Sequence, residues 1–299
     1  MFVFIFKMSD LTELLNKGRG QVPITRMVAP FDVKMGPIPT VVPVLRDDGR
    51  EFAGGNVVLA ERLNALRSGN AQQIEAWGNN YYGLADACIT FEDLLKAQPD
   101  SPLLKGIRGI VETSDGLYVA IDEEAVYQAT KGNMRHFQVR GSETVTYGVG
   151  DNKVSKQAGN VVLFKYAKPS CVELTGDQFN VVDAQSLKRV DFTHGRGMEE
   201  TEVVEGKEVI HPVYKALWPA ELVVPLVSET FKFNVREYAY DTNMGVYLAG
   251  EPQNHAEMRV FCANGLDCRS GLCGTNLLGS GGGRLVGVVE KSAAGAAKK

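Results

Sequence analysis

The stretch GTNLLGSGGGRLVGVVEK (residues 274–291) decides how we interpret the fold. Four of the five residues 279–283 are glycine, Arg284 follows them, and the apolar run 285–289 is typical of a strand. A Walker loop requires Gly-Lys-Ser/Thr at this point, and a dinucleotide-binding loop requires a helix after the glycines. Both nucleotide-binding patterns are therefore excluded. The cluster is either a flexible hairpin turn or a place where backbone N–H groups approach an extended, phosphate-bearing partner.

Helices are predicted where apolar residues recur at helical spacing. The clearest is NVVLAERLNALRSGNAQQIEAW (56–77), and shorter helices are expected over FEDLLKAQ (91–98) and DEEAVYQATKG (122–132). A helical turn is expected over VYKALW (213–218), and the segment 254–278 is expected to be partly helical.

Strands are predicted where β-branched residues alternate with polar ones. A Ser-Asp-Gly turn predicts a hairpin over 107–121, and PTVVPVLRDDGREF (39–52) alternates around an Asp-Asp-Gly turn. Residues 135–210 contain short β-branched stretches separated by turn residues, and ELVVPLVSETFKFNVREYAY (221–240) is the longest strand-like run. Helices and strands interleave irregularly, so the predicted fold class is α+β with a β-rich insertion.

The composition is that of an ordinary globular protein, with 44% hydrophobic and 23% charged residues. The balance of 32 Lys+Arg against 36 Asp+Glu gives a net charge of −4. This excludes a strongly basic, histone-like protein but not nucleic-acid binding through a local groove. We divide the chain into an N-terminal part of the core (1–131), a β-rich insertion (132–211), a C-terminal part of the core (212–290) and a flexible tail (291–299).

No catalytic or metal-binding constellation emerges. The five cysteines have no disulfide-framework pattern, and the gaps Cys-x₅-Cys and Cys-x₄-Cys from Cys262 to Cys273 lack the close pair usual for zinc. The four histidines are scattered, and neither a Gly-x-Ser-x-Gly elbow nor a His-Glu-x-x-His motif is present. We expect no enzymatic activity, no catalytic residue, no metal ligand and no cofactor.

A basic segment is the main candidate for binding. ATKGNMRHFQVRG (129–141) holds Lys131, Arg135 and Arg140, with Phe137 among them. Cations interleaved with an aromatic residue bind single-stranded nucleic acid by phosphate attraction and base stacking. The alternative is a solvated helix end followed by a strand. A second group is formed by the glycine cluster and the arginine after it, namely Gly279, Gly281, Gly282, Gly283 and Arg284.

The C-terminal stretch LLGSGGGRLVGVVE (277–290) resembles the glycine-rich loop and last strand of the repeat-associated superfamily of CRISPR RNA-binding proteins. The stretch 219–238 looks like the strand before that family's final helix, and the helix 56–66 sits where the family has one after its first strand. The resemblance implies a ferredoxin-like (RRM-like) core. It also implies that the β-rich insertion grips guide RNA and neighbouring copies. Single-stranded RNA and further copies of the chain, in a filament or ring, are therefore the expected partners.

A viral structural protein is the alternative class. A near-neutral, β-rich chain without a catalytic motif is also expected of a capsid or tail subunit assembling into a virion. The apolar start MFVFIFKMSD is too short for a membrane span and lacks the features of a signal peptide. We expect a cytoplasmic protein, or alternatively a virion component, without a membrane partner.

Overall fold

The structure is a computed structural model of the chain. It describes residues 33–168, 170–188, 198–201, 203–204, 207–208, 210–240, 243–248, 253–275, 278–279 and 284–289. The predicted glycines Gly281, Gly282 and Gly283 lie outside the described residues.

The described residues form eight helices and nineteen strands. The helices are α1 (Ile38–Asp47), α2 (Gly55–Ser68), α3 (Ala71–Gly78), α4 (Pro102–Lys105), α5 (Glu123–Ala129), α6 (Gly176–Val181), α7 (Pro212–Leu217) and α8 (Ala220–Tyr238). The strands of the first half are β1 (Val33–Met35), β2 (Arg50–Phe52), β3 (Tyr82–Phe91), β4 (Leu94–Gln98), β5 (Ile107–Thr113), β6 (Gly116–Asp122), β7 (Val139–Arg140), β8 (Thr144–Val149) and β9 (Asn152–Gln157). The strands of the second half are β10 (Val161–Ala167), β11 (Cys171–Leu174), β12 (Gln185–Lys188), β13 (Met198–Thr201), β14 (Val203–Val204), β15 (Lys207–Glu208), β16 (Asn243–Tyr247), β17 (Ala256–Ala263), β18 (Leu272–Cys273) and β19 (Arg284–Val289).

Strand pairing links seventeen of these strands into one sheet, and β14 and β15 form a separate pair. Strand β3 pairs with β4 and β17, and the last strand β19 lies beside β1, β2 and β3. Among the described strands, only β16 with β18 and β19 with β3 run parallel. The pairing confirms, at a coarse level, a mixed fold dominated by a mostly antiparallel sheet.

Strand β3 is buried on both faces and separates two parts of the core. Leu84 and Cys88 pack with residues of α2, α3, α7 and α8 on one face. Ala87 and Ile89 pack with residues of α1, α4, α5 and α6 on the other. Helix α2 ends at Gly69, whose φ of +66° is the left-handed conformation that glycine adopts without a Cβ penalty.

The largest correction concerns residues 221–240, which the sequence predicts to be a strand. They form helix α8 up to Tyr238, so this prediction is wrong. The buried residues Leu222, Leu226 and Thr230 recur every four positions, which is helical spacing. One of the three features that carried the resemblance, a strand over 219–238, is therefore absent from the structure.

Three further predictions of secondary structure are wrong. The predicted helix 91–98 is a turn followed by β4, in which Leu95 and Ala97 are buried at alternate positions. Most of the predicted strand over 39–52 is helix α1, which begins with proline in its first turn and leaves only β2 as a strand. The segment 254–278 is expected to be partly helical. Its described residues, 254–275 and 278, contain β17, β18 and a 3-10 turn at Leu266–Cys268 but no α-helix.

Other local predictions are confirmed. Helix α2, the hairpin β5–β6, helix α5, the helical turn α7 and the terminal strand β19 all lie where the sequence predicts them. The described residues of the predicted β-rich block 135–210 contain strands β7 to β15 and one short helix, α6. Helix α6 begins with a capping box in which Thr175 and Gln178 satisfy each other's backbone N–H groups.

Candidate nucleic-acid interface

The predicted basic segment lies between α5 and β7, and its cations contact neighbours within the fold. The ammonium of Lys131 is 3.0 Å from Asp183, and the guanidinium of Arg140 is 3.8 Å from Glu143. Arg135 donates a hydrogen bond from Nε to Nε2 of His136 at 2.7 Å. These contacts use part of the positive charge that the segment would offer to phosphate groups.

Phe137, the predicted stacking residue of this segment, is partly buried. It packs against the core cluster that includes Val162 and Phe164, and its ring centroid lies 6.0 Å from that of Phe164. Phe137 therefore packs against the core as well as against another ring.

The second predicted group lies at another place in the fold. Gly279 is in a turn after the buried residue Leu278, and Arg284 begins β19. The backbone N–H of Arg284 donates to the carbonyl oxygen of Tyr81 at 3.2 Å, and Arg284 lies opposite Tyr82 in the parallel pair. Burial raises the pKa of Tyr82, and the positive charges of Arg62 and Arg284 oppose that rise.

Aromatic and arginine side chains that the sequence did not single out lie around the end of α8 and the turn 264–271. Tyr81 adjoins this turn, and its carbonyl oxygen accepts the backbone N–H of Arg284. We call this set the aromatic–arginine surface; it consists of Tyr81, Phe233, Arg236, Tyr238, Tyr240 and Arg269. Tyr81 is 44% exposed and Arg236 is exposed, and the other members are partly exposed.

The rings of this surface are stacked on one another. The ring centroids of Tyr238 and Tyr240 are 5.4 Å apart with an interplanar angle of 28°, and Phe233 meets Tyr238 edge-on at 6.1 Å. The guanidinium carbon of Arg236 lies 5.5 Å from the Phe233 ring centroid, and that of Arg269 lies 5.3 Å from the Tyr240 ring centroid. Arginine over an aromatic face is a cation–π arrangement.

The end of helix α8 creates this stack. Ala239 adopts the left-handed conformation with a φ of +54°, and its N–H donates to the carbonyl oxygen of Val235 at 3.2 Å. The N–H of Tyr240 donates to the carbonyl oxygen of Asn234 at 3.3 Å. A helix end of this kind reverses the chain, and here it brings Tyr240 beside Tyr238.

Hydrogen bonds connect the stack to Tyr81 and hence to Arg284. The hydroxyl of Tyr240 donates to the carbonyl oxygen of Asp267 at 2.7 Å. The side-chain hydrogen bond with the neighbouring Cys268, together with partial burial, raises the pKa of Tyr81 to about 12. Burial and then the charge of Asp267 raise the pKa of Tyr238. Both phenols are therefore uncharged hydrogen-bond donors at neutral pH.

Acidic groups moderate the charge of the surface. Arg236 is hydrogen-bonded to Glu237 at 2.6 Å, and the exposed Asp267 lies beside Tyr81 and Tyr238. Stacking is consequently the main interaction that this surface can offer, and attraction between charges is secondary.

The backbone around the surface has an unusual conformation. Eight non-glycine residues among those described have positive φ, and four of them lie here: Ala239 (+54°), Met244 (+56°), Arg269 (+57°) and Ser270 (+56°). Such conformations are strained for residues with a Cβ and occur preferentially at functional sites.

The cysteines and histidines form no metal-binding group in the described part of the chain. All five cysteines are free, and no group of three or more His, Cys, Asp or Glu residues could hold a metal ion among the residues described. His211 is buried, which lowers its pKa to about 4, and its Nδ1 accepts a hydrogen bond from the N–H of Val213 at the start of α7. Its role is helix capping.

No family model matches the chain, and no curated protein matches it. A solved chain described as "Accommodation of massive sequence variation in Nanoarchaeota by the C-type lectin fold" is similar, with a TM-score of 0.36 and 12% identity. The match covers 87% of this chain and 95% of that chain. A TM-score this low establishes neither a shared fold nor a shared function. No helix in the described residues is both long and apolar enough to cross a membrane.

Proposed function

We propose that this protein binds single-stranded RNA without catalysing a reaction, and that it does so as a repeated subunit of a ribonucleoprotein complex. The observation that carries the proposal is the aromatic–arginine surface, which lies next to Arg284 at the end of the glycine-rich segment. Proteins that bind single strands combine aromatic side chains, on which bases stack, with arginine side chains that contact phosphates.

The arrangement of helices supports an RRM-like core within this proposal. Helices α2 and α8 pack together on one face of β3. The last strand, β19, is antiparallel to β2, the strand that precedes α2. Two helices on one face of an antiparallel sheet, with the first and last core strands adjacent, are what the resemblance to the repeat-associated superfamily implies. That resemblance is also the reason for preferring RNA as the partner.

A free sheet edge supports assembly with copies of the same chain. All six residues of β9 are exposed, and within the described residues β9 pairs with β8 alone. Counting from the two-residue turn at 150–151, the N–H groups of Lys153 and Ser155 point away from β8. Such an edge can pair with a strand of a neighbouring copy, and repetition of that contact gives a filament or ring.

The assembly is tested by light scattering on wild type and Ser155→Pro. Proline removes an outward N–H without removing a bond to β8, so the variant should stay folded and shift towards monomer. A wild-type protein that remains strictly monomeric at high concentration, with and without RNA, would contradict the proposal.

RNA binding is tested by fluorescence anisotropy with labelled oligo(U) RNA at low and high salt. We expect binding at low salt and a loss of about tenfold in affinity for Tyr240→Ala, since stacking contributes roughly 1 to 3 kcal/mol per base. Tyr127→Ala is the matched control, because Tyr127 is 52% exposed and lies on α5, beside the basic segment. If the wild type assembles but binds no RNA at low salt, the RNA proposal fails and a virion structural protein becomes the better hypothesis.

A further inference from the structure

We propose that a group of buried polar side chains behind the aromatic–arginine surface hydrogen-bonds the edge of one nucleobase and so gives the protein a base preference. This inference rests on the proposed function, and it adds a recognition site to a surface that by stacking alone would accept every base.

The observation is a group of buried polar side chains without hydrogen-bond partners within the described residues. Thr230, Asn234 and Asn243 are 0% exposed, Ser270 is 3% exposed and Asn264 is 7% exposed. Both amide atoms of Asn234 and of Asn243 lack a partner, as do the remaining side-chain oxygens, Thr230 Oγ1, Asn264 Oδ1 and Ser270 Oγ. More than nine in ten buried polar groups in proteins are hydrogen-bonded, so five unsatisfied side chains in one region require an explanation.

Backbone hydrogen bonds bring these residues to one place. The carbonyl of Asn234 accepts from the N–H of Tyr240, a member of the aromatic–arginine surface. The residue after Asn243, Met244, donates its N–H to the carbonyl oxygen of Arg269 at 2.7 Å. Asn264 donates its N–H to Gly271 at 2.8 Å across the same turn. The group therefore lies directly behind the stacked rings, between the end of α8 and the turn 264–271.

The backbone next to these unpaired side chains is also strained. Ala239, Met244, Arg269 and Ser270 all have positive φ, and each is within five residues of an unsatisfied side chain in sequence. A region with both features has a smaller free-energy difference between its native state and an opened state. A base reaches the buried amides when the turn 264–271 separates from the end of α8, and binding satisfies groups that the closed state leaves unpaired.

The chemistry of the group points to a nucleobase. An asparagine amide has a donor and an acceptor side by side, which complements the paired donor and acceptor atoms on a base edge. Single-stranded RNA presents such edges once its bases are unstacked, and the adjacent rings provide the face on which a neighbouring base stacks.

The experiment compares base preference with overall affinity. Anisotropy titrations use labelled oligo(A), oligo(C) and oligo(U) RNA with wild type, Asn234→Leu, Asn243→Leu and Tyr240→Ala. Asn180→Leu, at an exposed asparagine on α6, is the matched control. Urea unfolding of each variant verifies the fold; leucine has a similar volume, and replacing an unsatisfied amide by an apolar group is neutral or stabilising.

We expect the wild type to prefer one oligomer by about tenfold, the discrimination that a two-bond contact to a base provides. Asn234→Leu and Asn243→Leu should reduce that preference to within about twofold while staying at least as stable as wild type. Tyr240→Ala should weaken binding to all three oligomers equally. Wild-type binding to all three with equal affinity would overturn the inference and leave the proposed function standing.

Two other results would also overturn it. Loss of stability in both leucine variants with an unchanged preference would show that the amides hold ordered water only. Absence of wild-type binding to every oligomer at low salt would remove the proposed function and this inference together.

Discussion

Segment 131–140 places Lys131 3.0 Å from Asp183 and turns Phe137 towards Phe164, whereas the end of α8 stacks Tyr238 on Tyr240 at a partly exposed surface. The first region looks like a nucleic-acid site in the sequence, where its cations and its aromatic residue are neighbours. The second region does not, because its members come from α8, the turn 264–271 and the start of β3.

The two regions also differ in how well their polar groups are satisfied. In segment 131–140 the cations have nearby partners, and one residue, Lys131, has positive φ (+48°). The end of α8 and the turn 264–271 combine four positive φ values with buried amides that lack partners. A protein satisfies local rules where it only needs stability and violates them at functional sites. The comparison therefore favours the end of α8 as the binding region, although segment 131–140 carries more cations.

The largest expected effect concerns Glu61, on the helix α2 that packs against α8. Burial raises the pKa of Glu61 to about 7 from 4.5. Its contribution to stability is fully present below pH 4.5 and is lost as the pH rises through 7, because the charged form is disfavoured in the folded state. Glu61→Gln should remove this dependence and be up to about 3 kcal/mol more stable than wild type near pH 8. The measurement is urea unfolding across this pH range.

Glu75→Gln, at an exposed position on α3, is the control for the Glu-to-Gln change itself. A Glu61→Gln variant with the wild-type pH dependence would show that the region around α8 carries no such unfavourable buried charge.

Phe137→Ala should mainly affect stability. The side chain packs against the core and is partly buried, so its removal should lower the free energy of unfolding by about 2 kcal/mol, less than for a fully buried phenylalanine. The affinity for RNA should change by less than about twofold at either salt concentration. Val139→Ala, 37% exposed, is the control for denaturant unfolding. Unchanged stability with a large loss of RNA affinity would restore Phe137 as a stacking residue.

Arg284→Ala should weaken RNA binding by roughly 1 to 3 kcal/mol, the usual range for losing a hydrogen bond to a charged group. Its backbone bonds in β19 do not require the guanidinium, so the variant should stay folded. Fluorescence anisotropy at two salt concentrations measures the RNA affinity of wild type and Arg284→Ala. Equal affinity of the two proteins would show that Arg284 is not part of the RNA-binding surface.

The smallest effect is expected for Lys131→Ala. Lys131 is 74% exposed and its ion pair with Asp183 contributes at most about 1 kcal/mol to stability. RNA affinity should fall by about twofold. The slope of the logarithm of affinity against the logarithm of salt concentration should decrease by no more than about one. A loss comparable to that of Arg284→Ala would make segment 131–140 part of the interface.

The fold could be predicted from sequence where periodicity and breakers agree. Helix α2 combines helical spacing with a terminal glycine, and the hairpin β5–β6 combines alternation with a Ser-Asp-Gly turn. Helix α8 was missed because Val223, Val224 and Val227 are β-branched and Pro225 interrupts its first turns. Burial against α2 overrides those propensities. The local signal that indicates the helix is the recurrence of Leu222, Leu226 and Thr230 every four residues.

The site could be predicted only in part for the same reason. Arg284 was singled out because it follows the glycines, and the structure places it beside the aromatic–arginine surface. The clue at the end of α8 is the stretch REYAY (236–240), in which one residue separates Tyr238 from Tyr240. The strand prediction hid it, because residues two apart in a strand share a sheet face. Arg269 joins the aromatic–arginine surface through tertiary contacts alone, so no sequence pattern predicts it.

The most direct test of RNA binding at the end of α8 is to map which residues the RNA contacts. Photo-crosslinking of wild-type protein to 4-thiouridine-labelled single-stranded RNA, followed by peptide mass spectrometry, compares the two regions in one experiment. We expect crosslinks at Tyr81, Tyr238 and Tyr240 and far fewer in segment 131–140. Crosslinks in both regions should disappear when unlabelled RNA competes. Crosslinks confined to segment 131–140 would contradict RNA binding at the end of α8.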